Sequence, residues 1–178
     1  MCSYRVLACA LMTALMAGRA SAQTLDQPAL PRLRSSNPSI AALIARATEQ
    51  SATFRGLIEA INASDGIVYV EAGECGHYVT ACLVTVTAAG SYRVLWIKVD
   101  TRKADCDLTA SIGHELQHVV EILSDSNVRS GVEMFLYYLR IARRGGGPNF
   151  AFETTAALDA GIAVRSESRT CQSHMKRD

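Results

Sequence analysis

The segment that decides the fold covers residues 92–123 and has the sequence YRVLWIKVDTRKADCDLTASIGHELQHVVEIL. Its first part, residues 92–100, is rich in β-branched and aromatic residues, which predicts a strand. Its second part, about residues 108–124, has apolar residues at helical spacing, with Asp105 and Asp107 as candidate N-caps. A strand that leads directly into an amphipathic helix therefore forms the centre of the expected domain.

The flanking sequence supplies further elements of both kinds. Helical spacing predicts helices over residues 39–50, 52–62, 128–144 and 150–166, the first capped by Asn37 and the last by Asn149. A period of two predicts strands over residues 67–72 and 82–88. These patterns predict an α+β fold, in which a small antiparallel sheet of about three strands packs against a layer of helices.

The amino terminus has the pattern of a secretory signal peptide. A charged start with Arg5, an apolar run over residues 6–17 and the small residues of Ala20-Ser21-Ala22 indicate cleavage after residue 22. The apolar run is too short to span a bilayer. We therefore expect a signal peptide over residues 1–22, a flexible lead-in over 23–36 and one domain over 37–178. The mature protein is expected to be exported, secreted or periplasmic, without stable membrane insertion.

Charge and length exclude some partners. The formal net charge is +1, which gives no indication of a nucleic-acid or anionic-membrane partner. The arginines are scattered, which predicts ordinary solvated side chains. The mature length suits a single core. The sequence leaves the oligomeric state unknown.

Four cysteines remain after removal of the expected signal peptide: Cys75, Cys82, Cys106 and Cys171. An even number in an exported chain indicates disulfides, and four cysteines allow three pairings. We favour Cys75–Cys82, which closes a short loop, together with Cys106–Cys171. A cysteine zinc site is disfavoured because no two of these cysteines are spaced C-x-x-C.

The helix over residues 108–124 carries two of the four histidines of the chain, His114 and His118, four residues apart. Residues i and i+4 lie on one face of a helix, about 6 Å apart along its axis, so both imidazoles can bind one cation. Glu115 lies on the flank of that face, where a carboxylate can reach a metal-bound water and act as a general base. The opposite hypothesis is an amphipathic helix whose polar face is merely solvated.

His114-Glu115-Leu116-Gln117-His118 resembles the H-E-x-x-H motif of the zinc metallopeptidases known as zincins. The helix around it, and the strand that precedes it, resemble the same family over about thirty residues. The resemblance implies a minimal zincin-like domain and one Zn²⁺ per chain. It also implies hydrolysis of a peptide or protein substrate, with Glu115 moving the proton from the attacking water to the leaving amine.

A third zinc ligand has to be found, because catalytic zinc usually has three protein ligands. The position six residues after His118 is Ser124, so the three-histidine pattern is absent, and we expect the glutamate-ligand branch of the family. Glu121, Glu133 and Glu153 compete. Glu121 is better placed to hydrogen-bond a ligand, and Glu133 has a solvated helical face with arginine neighbours.

Glu153 is the favoured third ligand. Small residues follow it at helical spacing (Ala156, Ala157, Ala160 and Gly161), which predicts close helix packing and a desolvated carboxylate that a cation would compensate. Gly113 is expected to allow a neighbouring element to approach beside His114. The oxyanion-stabilising residue stays open among Tyr78, Tyr137, Tyr138, His77 and His174. The alternative function is a metal-binding but non-catalytic interaction module.

Overall fold

A computed structural model describes residues 31–76, 79–142 and 152–168 of the chain. In chain order the described elements are β1 (Leu33–Arg34), α1 (Pro38–Gln50), α2 (Ala52–Asn62), β2 (Gly66–Ala72), β3 (Ala81–Ala89), β4 (Tyr92–Val99), α3 (Asp105–Ser124), α4 (Gly131–Ile141) and α5 (Thr155–Glu167). The α+β class is thereby confirmed.

Side-chain caps explain where most of these helices begin. Asn37 accepts hydrogen bonds from the amides of Ser39 and Ile40 at the start of α1, and Pro38 occupies the first helical position. Ser51, Ser130 and Thr154 each accept an amide hydrogen bond in the first turn of α2, α4 and α5. The helix α3 has no side-chain cap, and its N-terminal dipole is instead matched by acidic residues in its first turn.

The sheet differs from the predicted one. It has four strands in the order β1-β2-β4-β3, and β1 and β2 both run parallel to their neighbours, while only β3 and β4 form an antiparallel hairpin. The prediction of about three antiparallel strands is therefore wrong in number, and it is wrong in direction for β1 and β2 but not for β3 and β4. Leu33–Arg34 belongs to the sheet although it falls in the segment predicted as a flexible lead-in.

One face of the sheet holds the core. Val68 and Val70 of β2 and Leu95 and Ile97 of β4 are fully buried under the helices. On the opposite face Tyr69 and Trp96 stack with ring centroids 6.2 Å apart and stay half-buried. This alternation follows from the period of two in each strand.

Arg93 is the exception to the expected solvated arginines. It is only 2% exposed, and its guanidinium donates to both carboxylate oxygens of Asp65. It also donates to backbone carbonyls at and beyond the end of α3, those of Ile122, Leu123, Asp125 and Val128. Because the last carbonyls of a helix have no partner within it, Arg93 anchors the C-terminal end of α3 to the sheet.

Three predicted helix boundaries need correction. The helix α3 begins at Asp105, so Asp105 and Asp107 lie in its first turn and are not its caps. The helix α4 covers Gly131–Ile141 within the broader predicted range of 128–144. The last helix begins at Thr155 with Thr154 as its cap, whereas Asn149, the predicted cap, lies outside the described residues.

The disulfide between Cys75 and Cys82 is present, as predicted, and closes the segment before β3. The other predicted pair, Cys106–Cys171, involves Cys171, which lies outside the described residues. Among the helices of the described chain, none combines the length and apolar character that a membrane span requires.

Candidate metal centre

The helix α3 presents His114 and His118 on the face that turns toward α5 and β3. Its opposite side is fixed in the core by Ile112, Leu116 and Val119, which are fully buried. The two imidazole rings lie edge to face, with centroids 4.8 Å apart. The i,i+4 spacing of the motif therefore brings both rings to one place, as predicted.

Two glycines allow α5 to approach this face closely. A Cβ atom on Gly113 would lie 2.7 Å from Cγ2 of Val164, and one on Gly161 would lie 3.2 Å from Cβ of His114. Carbon atoms in contact normally lie about 3.5–4.0 Å apart, so larger residues would force the helices apart. The predicted role of Gly113 is confirmed, and the close packing places the residues that precede α5 beside His114.

His114, His118 and Glu153 form a group that could hold a metal ion. Each residue offers one ligand atom, and these atoms all lie within 4.8 Å of one another. His114 Nε2 and Glu153 Oε2 are 3.2 Å apart. Two ligands of a tetrahedral zinc ion are separated by about 3.3 Å when each bond is about 2.0–2.1 Å.

The carboxylate of Glu153 supports this interpretation. Its Oε2 atom is buried and, among the described residues, has no hydrogen-bond partner with acceptable geometry. The nearby His114 ring lowers the pKa of Glu153 despite partial burial, so the group is an anion. A buried anionic oxygen without a hydrogen bond is costly unless a cation compensates it.

Glu153 therefore joins the group, but for a different reason from the one predicted. It does not lie on α5, because the helix begins two residues later. The small residues instead bring α5 onto α3, with Gly161 against His114. Glu153 is carried into place as the residue directly before the N-cap.

A chain of hydrogen bonds from Thr154 through Glu121 orients the imidazole ring of His118 at its Nδ1 atom. His118 Nδ1 lies 2.9 Å from Glu121 Oε2, which leaves Nε2 facing the ligand group. The hydroxyl of Thr154 donates to the other oxygen of Glu121 over 2.6 Å and also accepts the capping hydrogen bond from Ala157. Glu121 is thus the hydrogen-bond acceptor that was predicted, and carboxylate partners of this kind fix the orientation of metal-binding histidines.

Glu115 lies beside the group without joining it. Its Oε2 accepts a hydrogen bond of 2.7 Å from the backbone amide of Leu83 on the edge strand β3, next to an irregularity in strand register. Its Oε1 is 3.9 Å from His114 Nε2. The hydrogen bond orients the carboxylate and leaves Oε1 as the oxygen nearer to the ligand group.

Burial and neighbouring charges shift the pKa values in this centre. Burial raises the pKa of Glu115, and the nearby His118 and His114 rings oppose the effect only in part. Burial lowers the pKa of His114, but the carboxylates of Glu153, Glu115 and Glu121 outweigh it and raise the net value. The centre is an acidic pocket that attracts positive charge.

Two clefts open onto the ligand group. The first has a volume of about 450 Å³ and an apolar wall that includes Val79, Leu83, Met134, Tyr138 and Phe152. The second, about 390 Å³, also contains His114, Glu115 and Glu153 and is otherwise lined mainly by residues of α3 and α5, among them Ser111, Leu158 and Arg165. His114, Glu115 and Glu153 line both clefts, so the ligand group is accessible from each of them.

Two of the five candidate oxyanion-stabilising residues, Tyr137 and Tyr138, lie in the described part of the chain. Tyr138 packs its ring edge against His118, but its hydroxyl donates to the backbone carbonyl of that residue over 3.0 Å. Burial raises the pKa of Tyr138 well above its usual range. Tyr137 packs against Tyr138 and under the guanidinium of Arg140. His77, Tyr78 and His174 lie outside the described residues.

Glu133 is exposed, as predicted, and is not part of the ligand group. Its carboxylate accepts hydrogen bonds from the amide of Arg129 and the hydroxyl of Ser130. The amide of Glu133 is in turn capped by Ser130. Its role is therefore a capping box at the start of α4, a signal that the S-x-x-E sequence carries.

Sequence analysis missed the contacts made by Leu83, Thr154 and Arg93. The Leu83 contact involves only a backbone amide, so no side-chain signal exists for it. Thr154 could have been proposed as a helix cap, but its hydrogen bond to Glu121 joins residues 33 positions apart.

Comparisons with protein-family models, curated proteins and solved structures found no match to this chain.

Proposed function

We propose that this chain is an exported zinc-dependent peptidase of the zincin type. In this proposal His114, His118 and Glu153 bind one Zn²⁺, and Glu115 is the general base. The observation that carries the proposal is the buried oxygen of Glu153, which lacks a well-formed hydrogen bond and lies 3.2 Å from His114 Nε2 beside the second histidine of an H-E-x-x-H helix.

The donor set favours zinc. Two imidazole nitrogens and one carboxylate are a common protein ligand set of catalytic zinc, with the remaining position left for water or substrate. When bound, the ion supplies an electrophile that acidifies water and polarises a carbonyl group. The same donors can also bind Fe(II). Metal analysis of the purified protein distinguishes the two.

Glu115 is placed to move protons in this cleft. Leu83 holds one oxygen of its carboxylate, so the side chain cannot swing away, and the other oxygen lies nearer to the ligand group. In the proposed reaction Glu115 takes a proton from the attacking water and then gives it to the leaving amine. Its burial excludes bulk water, which strengthens electrostatic interactions in the cleft.

The substrate is proposed to be a peptide or protein. The edge strand β3 and the apolar wall with Met134, Tyr138 and Phe152 border the group on one side. The second cleft continues the surface past Glu115 and Glu153. Two clefts that share His114, Glu115 and Glu153 would accommodate a chain that extends in both directions from the scissile bond.

Export is also a proposal, and the disulfide supports it. Disulfides persist in oxidising compartments and are rare in the cytosol. Cys75 and Cys82 both line the cleft, so their bond fixes a wall of the proposed active site. The corresponding mature protein begins at Gln23.

The proposal is tested with protein that begins at Gln23, loaded with zinc and assayed on a casein digest and on a mixed peptide library. We expect about one zinc per chain and measurable peptide cleavage. Glu115→Gln should keep the zinc and lower turnover by about 10²–10⁴-fold, because it removes proton transfer but no ligand. Glu49→Gln, an exposed residue of α1, is the matched control and should change neither quantity.

The outcomes separate the proposed functions. Stoichiometric zinc without cleavage of any peptide would contradict the peptidase and favour a metal-binding interaction module. Protein without a bound divalent metal, even after zinc loading, would contradict both. Equal turnover in Glu115→Gln and the parent would contradict the role of Glu115.

A further inference from the structure

The outer face of α4 carries an apolar stripe. It consists of four large side chains, exposed by 69%, 47%, 53% and 58% in chain order: Val132, Phe135, Leu136 and Leu139. Their spacing of three, four and seven residues places them along one side of the helix. The side chain buried beneath α4 is Tyr138, on the inner face. Among the described residues the ring of Phe135 contacts Phe152, and all four side chains of the α4 stripe are still exposed.

We propose that the α4 stripe is the interface of a homodimer, in which α4 packs antiparallel against α4 of a second copy about a twofold axis. The order of the four residues is self-complementary. The point midway between Val132 and Leu139 along the helix is also midway between Phe135 and Leu136. A twofold axis through that point places Val132 against Leu139 of the partner subunit, and Phe135 against Leu136 of the partner subunit. Self-complementarity is what an isologous interface requires.

The charged residues beside the stripe fit the same arrangement. Glu133 and Arg140 are both exposed and, at 100° per residue, lie on the same flank of α4. In the antiparallel dimer this flank faces the same flank of the other copy. Glu133 then lies within about 3 Å along the axis of Arg140 of the partner subunit, at the helical rise of 1.5 Å per residue, and the symmetry places this pair twice. Within each chain Glu133 also accepts its capping hydrogen bonds and Arg140 also pairs with Asp125 at 3.4 Å, so the contact across the interface adds to these.

The parallel arrangement lacks this complementarity. It places the charged flanks of the two copies on opposite sides of the pair, so Glu133 and Arg140 find no partner across the interface. The mixed charge also disfavours a membrane surface as the occupant, because interfacial helices carry predominantly basic rims. A second copy of the chain therefore matches both the apolar and the charged residues of α4.

The exposed area is sufficient for a dimer of moderate affinity. If a fully exposed large side chain offers about 200 Å², the four exposed fractions leave about 450 Å² on each chain. Two copies would bury about 900 Å², and the side chains of Glu133 and Arg140 raise the total to about 1,000 Å². That value lies below about 1,200 Å², where stable specific interfaces begin, and matches weak or transient ones, so we expect dissociation in the micromolar range.

The interface would also adjoin the candidate metal centre. Phe135 of the stripe contacts Phe152 with ring centroids 5.3 Å apart, and Phe152 lines the first cleft. Met134 and Tyr138 on the inner side of α4 line the same cleft. Dimerisation would therefore support the helix that forms one wall of each cleft.

Sedimentation velocity between about 1 and 200 µM tests the proposal. The parent protein should be a dimer at the upper concentrations. Leu136→Glu should weaken the dimer by at least about 100-fold, because it removes apolar burial and places a carboxylate in each half of the interface. Ile162→Glu, which changes an even more exposed apolar residue of α5, should remain dimeric.

A charge exchange tests the orientation. Arg140→Glu should weaken the dimer by about 3- to 10-fold, the range expected for two exposed ion pairs. Adding Glu133→Arg to that variant should restore it, with circular dichroism confirming that all variants are folded. A parent that stays monomeric at 200 µM, or a Leu136→Glu variant that dimerises like the parent, would overturn the proposal. A double exchange weaker than Arg140→Glu alone would overturn the antiparallel arrangement.

Discussion

Replacement of Gly113 by alanine tests the close contact on which the candidate metal centre depends. The added Cβ would lie 2.7 Å from Cγ2 of Val164, 3.1 Å from its Cβ and 3.3 Å from its Cγ1. Rotation of the valine cannot relieve the contact, because all three atoms are close. The helix α5 must therefore move by about 1 Å to reach ordinary carbon contact distances.

The expected energies follow from this contact. Overpacking of a core costs about 1–3 kcal/mol, and alanine recovers about 1 kcal/mol of helix propensity, so Gly113→Ala should destabilise by about 0–2 kcal/mol. Val164→Ala removes two methyl groups from a fully buried side chain and should cost about 2–3 kcal/mol. In the double variant the new methyl group fills part of the space, so the loss should be about 1–2 kcal/mol smaller than the sum.

The double-mutant cycle is measured by urea unfolding of the parent, the two single variants and the double variant. The same proteins should be titrated with zinc, because a displaced α5 also displaces Glu153. Gly113→Ala should weaken zinc binding by about 10-fold, and Val164→Ala in the same chain should recover most of it. If the losses of the two single variants add up to that of the double variant within about 0.5 kcal/mol, and zinc affinity is unchanged, then α5 does not approach Gly113 as closely as described.

Three further predictions concern residues that support the centre. Arg93→Met should cost about 3–5 kcal/mol by urea unfolding, because it removes the buried charged donor to Asp65 and to four carbonyls, whereas the exposed Arg102→Met should stay within about 0.5 kcal/mol of the parent. The hydrogen bonds from Arg93 lower the pKa of Asp65 in the folded protein, so its stabilisation should be complete above the ordinary aspartate value and lost as the pH falls through the lower folded value. Urea midpoints between pH 2 and 6 should therefore fall more steeply in the parent than in Asp65→Asn, and identical slopes would contradict this. Thr154→Gly keeps an acceptable helix cap but removes the donor to Glu121, so zinc affinity should fall by about 10-fold and recover in Thr154→Ser; equal affinities in both would assign Thr154 a capping role alone.

The sequence was most informative where the signal is local. The i,i+4 spacing of His114 and His118 places both rings on one helix face whatever the rest of the fold, so this part of the site was predictable. The prediction that Glu121 hydrogen-bonds a ligand rests on the same local geometry. Helices and strands with clear periods were found for the same reason, and their errors lie at the ends, where single caps such as Thr154 decide the boundary.

Strand order was not predictable, because it depends on contacts between distant residues. A period of two indicates which side of a strand is buried but not which strand lies beside it. The hairpin of β3 and β4 has a turn at Gly90, whose φ of 61° suits glycine, so the sequence carries a local signal for this pairing. The parallel pairing of β2 with β4 has no such local signal.

Arg93 shows how far the local pattern could have been used. It has the same phase in β4 as Leu95, Ile97 and Val99, all of which are buried, so the period of two placed its side chain in the core. Burial of an arginine requires several acceptors, and these come from the end of α3 about 30 residues away. The expectation of solvated arginines was therefore wrong for Arg93, although its phase in the strand indicated burial, and no local pattern could have identified the partners.

The most direct test of the proposed centre is the zinc affinity of the Glu153→Ala variant. It should be measured by competition with a chromophoric chelator, beside the parent, His118→Ala and the exposed-residue control Glu133→Ala. We expect His118→Ala and Glu153→Ala to lose tight zinc binding and to show a lower zinc-loaded melting temperature, because metal binding is coupled to folding. Glu133→Ala should bind zinc like the parent. If Glu153→Ala binds zinc as tightly as the parent does, Glu153 is not the third ligand and the proposed centre is wrong.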